Sequence, residues 1–266
     1  MNTEANGIRF NCRIDGPDGA LWLMLSNSLA TNLSMWDRQT AVLSEHYRVL
    51  RYDQRGHGES DVPPGNYDFD LLADDAAALM QAHGIDACHF IGLSMGGMTA
   101  MRVMERWPDR VKALVLFDTQ ASAESAANRV KYQLMAVAYR RFGLNPLLER
   151  SVKKLMFSPT SLRDRLPLVR RWREDVERHH RHQLSHAIDA VTGRADFDLS
   201  RIAHHGIPTL ILVGEDDVST PPVHSRAIAQ AMPGSKLVVV PQAGHLSALE
   251  RPDWVADVVS GFLEAL

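Results

Sequence analysis

The pentapeptide Gly92-Leu93-Ser94-Met95-Gly96 constrains this chain more than any other stretch. It has the form G-x-S-x-G, and its neighbours fit a sharp strand-to-helix turn. Residues 86–91 form a short apolar run of strand length, and residues 98–106 have helical composition. Such a turn holds its serine in a strained conformation and leaves the hydroxyl exposed. Side chains at positions 92 and 96 would keep strand and helix apart, so glycine is expected at both. The N–H of Met95 then opens a helix and can face an anionic oxygen. A glycine-rich turn with an inert serine is the competing explanation, and the flanking elements argue against it.

The rest of the chain supplies a matching frame. Residues 8–14 alternate apolar and polar positions like an edge or antiparallel strand. Further strands are expected at 21–25, 47–52, 111–117, 207–213 and 236–240, the first a continuous apolar run suited to burial on both faces. Helices are expected at 34–44, 70–83 (ended by Gly84), 223–232 and 253–266. Strands alternating with helices imply an α/β fold, a mostly parallel sheet flanked by helices. Residues 121–203 break the rhythm: they hold no convincing strand, carry many basic residues, and have Pro146, Pro159 and Pro167 at expected bends. They read as a helical cap inserted into a single domain whose core is 1–120 and 204–266. The cap is expected over the elbow, where it would shape a pocket. The alternative is that its helices merely cover one face of the sheet.

Charge and cysteine usage narrow the function classes. A formal net charge of −3 argues against nucleic-acid binding. The two cysteines, Cys12 and Cys88, rule out a disulfide framework. The start of the sequence lacks a basic segment followed by an apolar one, and no run of about 18 apolar residues appears. The expectation is a cytoplasmic protein with no membrane partner, and a homo-oligomer is left open.

A serine hydroxyl becomes a useful nucleophile only with a base and a group that orients that base. His245, in the loop after the last strand, is the candidate base, and Gly244 before it is expected to permit an unusual backbone conformation. His224, at the start of a helix, is a weaker candidate. Asp217, Asp216 and Asp118 all lie near the carboxyl ends of strands, and position alone barely separates them. A second oxyanion donor would come from the loop 26–32, through the N–H of Leu29. The polar turn at 53–60, with Gly56 and Gly58, reads as structural, Arg55 and His57 anchoring loops rather than reacting.

Residues 53–60, 92–97, 214–221 and the pair Gly244-His245 together resemble the α/β-hydrolase family over nearly the whole chain. Within it, Leu25-Ser26-Asn27-Ser28-Leu29 followed by Met35-Trp36-Asp37 is similar to 3-oxoadipate enol-lactonases. The resemblance implies an eight-stranded, mostly parallel sheet with a helical cap. It implies serine chemistry on a small-molecule ester or lactone, with no cofactor. It favours Asp217 as the acid, giving a triad of Ser94, Asp217 and His245 with oxyanion donors at Met95 and Leu29. A carbon–carbon bond hydrolase, a perhydrolase, or a ligand-binding protein with an idle triad would share these motifs.

The cap departs from the enol-lactonase pattern at Ala187-Ile188-Asp189-Ala190-Val191-Thr192-Gly193-Arg194. Its Arg129, Lys131, Arg140 and Arg141 are candidates to attract an anionic substrate, or else solvated helix faces. His179, His182 and His186 could share a helical face, but no carboxylate or cysteine completes a metal site, and none is expected.

Overall fold

Apolar strands joined by helices build one eight-stranded sheet, in a computed structural model that describes residues 1–178 and 181–266. The strands are β1 (Asn2–Ala5), β2 (Ile8–Asp15), β3 (Trp22–Ser26), β4 (Arg48–Tyr52), β5 (Cys88–Leu93), β6 (Val111–Phe117), β7 (Thr209–Gly214) and β8 (Lys236–Val240). Their spatial order is β1-β2-β4-β3-β5-β6-β7-β8. β1 pairs antiparallel with β2, and β2 antiparallel with β4; every later pairing is parallel. The first strand has no counterpart in the sequence reading.

The central strands are buried on both faces, as their unbroken apolar runs require. Alternate side chains divide between two cores. Met24, Phe90, Leu114 and Leu116 point to one, packed by the helices Phe69–Ala82 and Met95–Arg106. Leu25, Ile91, Val115 and Phe117 point to the other, packed by the helix Pro252–Leu263. At about 25 cal/mol per Å² of apolar surface removed from water, these two layers supply the main drive for folding.

Between β6 and β7 the described residues hold helices and no strand: Ala126–Phe142, Pro146–Met156, Pro159–Asp164, Leu166–Arg178, Arg181–Gly193 and Ser200–Ala203. The prolines expected at bends start these helices. Pro146 and Pro159 are first residues, where a missing N–H costs nothing, and Pro167 is second in its helix.

One topological step positions the site. The chain runs from β3 outward to β4, then returns past β3 to β5, so the strand order reverses between β3 and β5. In the parallel register Ser26 lies opposite Gly92. The loop leaving β3 and the turn leaving β5 therefore open side by side at the carboxyl edge, where open α/β sheets gather ligand sites.

Candidate active site

Ser94 sits between β5 and the helix Met95–Arg106 with φ 52° and ψ −109°. A positive φ in a non-glycine residue costs on the order of 1–3 kcal/mol and persists only where its surroundings hold it. Two bonds do so: Ser94 N–H donates to Phe117 O at 2.8 Å, and Met98 N–H donates to Ser94 O at 3.0 Å. The flanking glycines are required by space. A Cβ on Gly92 would lie 2.2 Å from Gly96 O, and one on Gly96 would lie 2.2 Å from Ser26 O.

Asp217, beyond the end of β7, and His245, beyond β8, meet in the interior. His245 Nδ1 is 3.0 Å from Asp217 Oδ2, and both residues are buried. An ionised carboxylate only accepts, so Nδ1 carries the proton and Nε2 is left with its lone pair. Asp217 is held in turn. Its Oδ1 accepts Ser219 N–H at 2.8 Å and Thr220 N–H at 2.9 Å, and Thr220 Oγ1 donates to Oδ2 at 2.7 Å. Burial would raise the Asp217 pKa, but the His245 imidazole and the Thr220 bonds outweigh it and the net shift is downward. For His245, burial pulls the pKa down, while Asp217, with smaller help from Asp118 and Glu250, takes it above its ordinary value.

The other two acid candidates do not bond to His245 among the described residues. Asp118 is buried at φ 44°; its Oδ1 accepts Gly214 N–H at 2.8 Å and its Oδ2 accepts Ser247 N–H at 3.2 Å. Burial, and then the Asp217 charge, push its pKa well above the usual carboxylate range. Asp216 is half-buried, and its backbone N–H, donating to Ala243 O at 2.8 Å, is what reaches the histidine loop. His224 instead pairs with Ser122 Oγ at 3.4 Å and does not line the cavity beside Ser94.

One expectation about the histidine loop is corrected. Gly244 has no positive φ; it is small because Phe157 and Ser158 press on it, and a Cβ there would lie 2.6 Å from Ser158 N. The buried Glu250 carboxylate ties the two segments, accepting Gly244 N–H at 2.7 Å and Ser158 N–H at 2.8 Å.

Met95 N–H and Leu29 N–H have no acceptor among the described residues. Leu29, like Ser94 and His245, lines the cavity. The loop that carries it hangs on Asn27. The Asn27 side chain donates to Ser28 O at 2.9 Å and Thr31 O at 3.2 Å, and accepts Gln54 N–H at 3.0 Å. Gln54 Oε1 then accepts Thr99 Oγ1, on the elbow helix, at 3.1 Å. In the same turn Arg55 forms a buried two-pronged pair with Asp75, at 2.8 and 2.6 Å. His57 is buried with Nδ1 3.1 Å from Arg55 O, away from the cavity.

The cavity, about 150 Å³, lies between the elbow and the inserted helices. Its walls are apolar, with Met98, Tyr139, Leu148, Trp172, Val176 and Leu184 among them. None of Arg129, Lys131, Arg140 and Arg141 lines it. Arg129 is exposed and donates to Thr192 O, and Lys131 and Arg141 are exposed. The arginine that does line the cavity is Arg194, the last residue of the divergent stretch 187–194, and it stands beside Glu124. Arg194 follows the last residue of the helix Arg181–Gly193, a position with no local signature. His179, and the side chain of His182, lie outside the described residues; His186 Nδ1 is 3.0 Å from Asn66 Oδ1.

The profile of the alpha/beta hydrolase fold family matches residues 22–252. The chain is 32% identical over 232 residues to 3-oxoadipate enol-lactonase 2 of Acinetobacter baylyi, covering 86% of this chain and 84% of that one. Its structure is similar to the crystal structure of the enol-lactonase from Burkholderia xenovorans LB400. The TM-score is 0.91 at 34% identity, over 99% of this chain and 100% of the other. It is also similar to a thermophilic esterase from Thermogutta terrifontis, with TM-score 0.90 and 28% identity over 99% and 96% of the two chains. With a strained serine, a histidine–aspartate pair and this match over most of its length, the chain belongs to the α/β hydrolase fold family.

Proposed function

We propose that this protein is a serine hydrolase of carboxylic esters or lactones, acting through an acyl-enzyme on small molecules. The observation that carries the reading is that His245, buried and 3.0 Å from Asp217, lines the same cavity as the strained Ser94. Its relatives named for enol-lactone and ester cleavage support the same chemistry. His245 Nε2 takes the Ser94 proton as Oγ attacks the carbonyl carbon. Asp217 keeps Nδ1 protonated and stabilises the imidazolium. The N–H groups of Met95 and Leu29 hold the tetrahedral oxyanion, each contributing about 3 kcal/mol by analogy with other hydrolases. The imidazolium then protonates the leaving alkoxide oxygen. Water, deprotonated by His245, releases the acid and restores the Ser94 hydroxyl. No helix is long and apolar enough to cross a membrane among the described residues, and a cytoplasmic location is part of the proposal.

A fluorophosphonate probe followed by mass spectrometry tests this. The adduct is expected on Ser94 of the wild type and absent from Ser94→Ala. Turnover is then read on short p-nitrophenyl esters, lactones, dienone acids and peroxide acceptors, which separates ester cleavage from carbon–carbon and perhydrolase chemistry. Folded wild type that takes no label removes the proposal.

A further inference from the structure

The charge on the cavity wall is balanced internally. Among the described residues Arg194 is the only Lys or Arg lining the cavity, and Glu124 the only carboxylate. They face each other, Arg194 Nη2 standing 3.5 Å from Glu124 Oε2, with side chains 5% and 9% exposed. Glu124 is anchored from its other side, Oε1 accepting Asn128 Nδ2 at 2.9 Å and Ser125 N–H at 3.3 Å. The guanidinium is fixed by its Nε, which donates to Ser122 O at 3.1 Å, and by Nη1, which donates to Val191 O. Nη2 is buried, and the Glu124 carboxylate at 3.5 Å is its partner among the described residues. The guanidinium charge on the cavity wall is therefore already neutralised by the carboxylate it faces.

These facts select between ligand classes. A carboxylate entering here would lose its water, meet a cation already paired, and face the like charge of Glu124. An uncharged group loses far less on leaving water and does not have to displace Glu124 from Arg194. Apart from Ser94, Thr192, Ser219, Thr220 and His245, the rest of the wall is aliphatic and aromatic and suits hydrocarbon.

Building on the hydrolase reading above, we infer that Glu124 sets substrate charge: it cancels Arg194, so that the enzyme takes uncharged, apolar esters or lactones and rejects those bearing a carboxylate. Glu124 is a specificity residue in this account and takes no part in bond making.

Two p-nitrophenyl esters of matched length test it, the hexanoate and the adipate half-ester, which ends in a carboxylate. Wild type is expected to favour the hexanoate by at least about tenfold in kcat/KM, a modest figure for a misplaced charge. Glu124→Gln, checked for folding by circular dichroism, is expected to gain about tenfold on the half-ester relative to the hexanoate in kcat/KM. Adding Arg194→Met should abolish that gain. Wild-type preference for the half-ester, or no gain in Glu124→Gln, overturns the inference. The comparison is repeated without turnover by calorimetric titration of Ser94→Ala with N-phenylhexanamide and N-phenyladipamic acid. Tighter binding of the neutral amide is expected, and tighter binding of the acid overturns the inference. Failure of the hydrolase reading looks different: neither ester is cleaved and no fluorophosphonate adduct forms, while the titration still decides the charge preference.

Discussion

Ser247 Oγ donates to Asp118 Oδ2 across 2.5 Å, and Gly214 N–H takes the other oxygen at 2.8 Å. Two buried aspartates thus stand behind one imidazole, and only Asp217 hydrogen-bonds to it. Asp217→Asn is expected to lower kcat by about 10⁴-fold, because the amide favours the wrong imidazole tautomer. Asp118→Asn is expected to cost under about tenfold in kcat and about 1–3 kcal/mol in stability, since asparagine tolerates the positive φ but disturbs the donor set. Steady-state kinetics and urea unfolding of both variants check this. A large kcat loss confined to Asp118→Asn would transfer the orienting role to that residue.

The raised His245 pKa fixes the direction of the pH profile. The imidazole must be neutral to accept the serine proton, so kcat/KM should rise with pH along a limb whose midpoint lies above the ordinary histidine value of about 6.5. Stability runs the other way. A group whose pKa is raised on folding contributes fully below its unfolded value, and the contribution is lost as pH climbs through the folded one. Asp217, with its pKa lowered on folding, contributes above its unfolded value of about 3.9 and loses this as pH falls through the folded one. The measurements are kcat/KM against pH and urea midpoints of wild type and Asp217→Asn. The variant's kinetic limb should move to lower pH; an unmoved limb would mean that another group titrates.

The elbow glycines give a prediction about folding alone. Gly92→Ala and Gly96→Ala each drive a methyl group to 2.2 Å from a backbone oxygen that cannot swing away. Each should destabilise by about 3 kcal/mol or more, at or beyond the upper end for overpacking. Gly193→Ala serves as the control. Its Cβ would meet nothing within 4 Å, and a change within about 1 kcal/mol is expected. Urea denaturation midpoints read all three, and an elbow variant as stable as the control would refute the close approach.

What the sequence made legible follows from how local each signal is. The elbow could be read because its glycines, strand and helix are contiguous. The parallel strands could be read because burial on both faces demands unbroken apolar runs. β1 escaped notice because Asn2-Thr3-Glu4-Ala5 is a short edge pairing of exposed and half-buried residues with no apolar alternation. A glycine before a loop histidine suggests a conformational need, but at Gly244 the reason is contact with Phe157 and Ser158, residues far away in the chain. Charges are dense on the helix Ala126–Phe142, yet the cation on the cavity wall is Arg194. Which helix face turns inward depends on packing between helices, and a single helix sequence carries little of that information.

The Asn27–Gln54–Thr99 chain of bonds has a mechanical consequence. The β3 loop and the elbow helix belong to distant stretches of sequence, yet both are bolted to the same glutamine. On the proposed mechanism, the two arms that grip the reacting oxygen are set before any molecule arrives. Little backbone rearrangement is then left for the encounter to drive, and what varies from one guest to another is how well it fills the helical vault above.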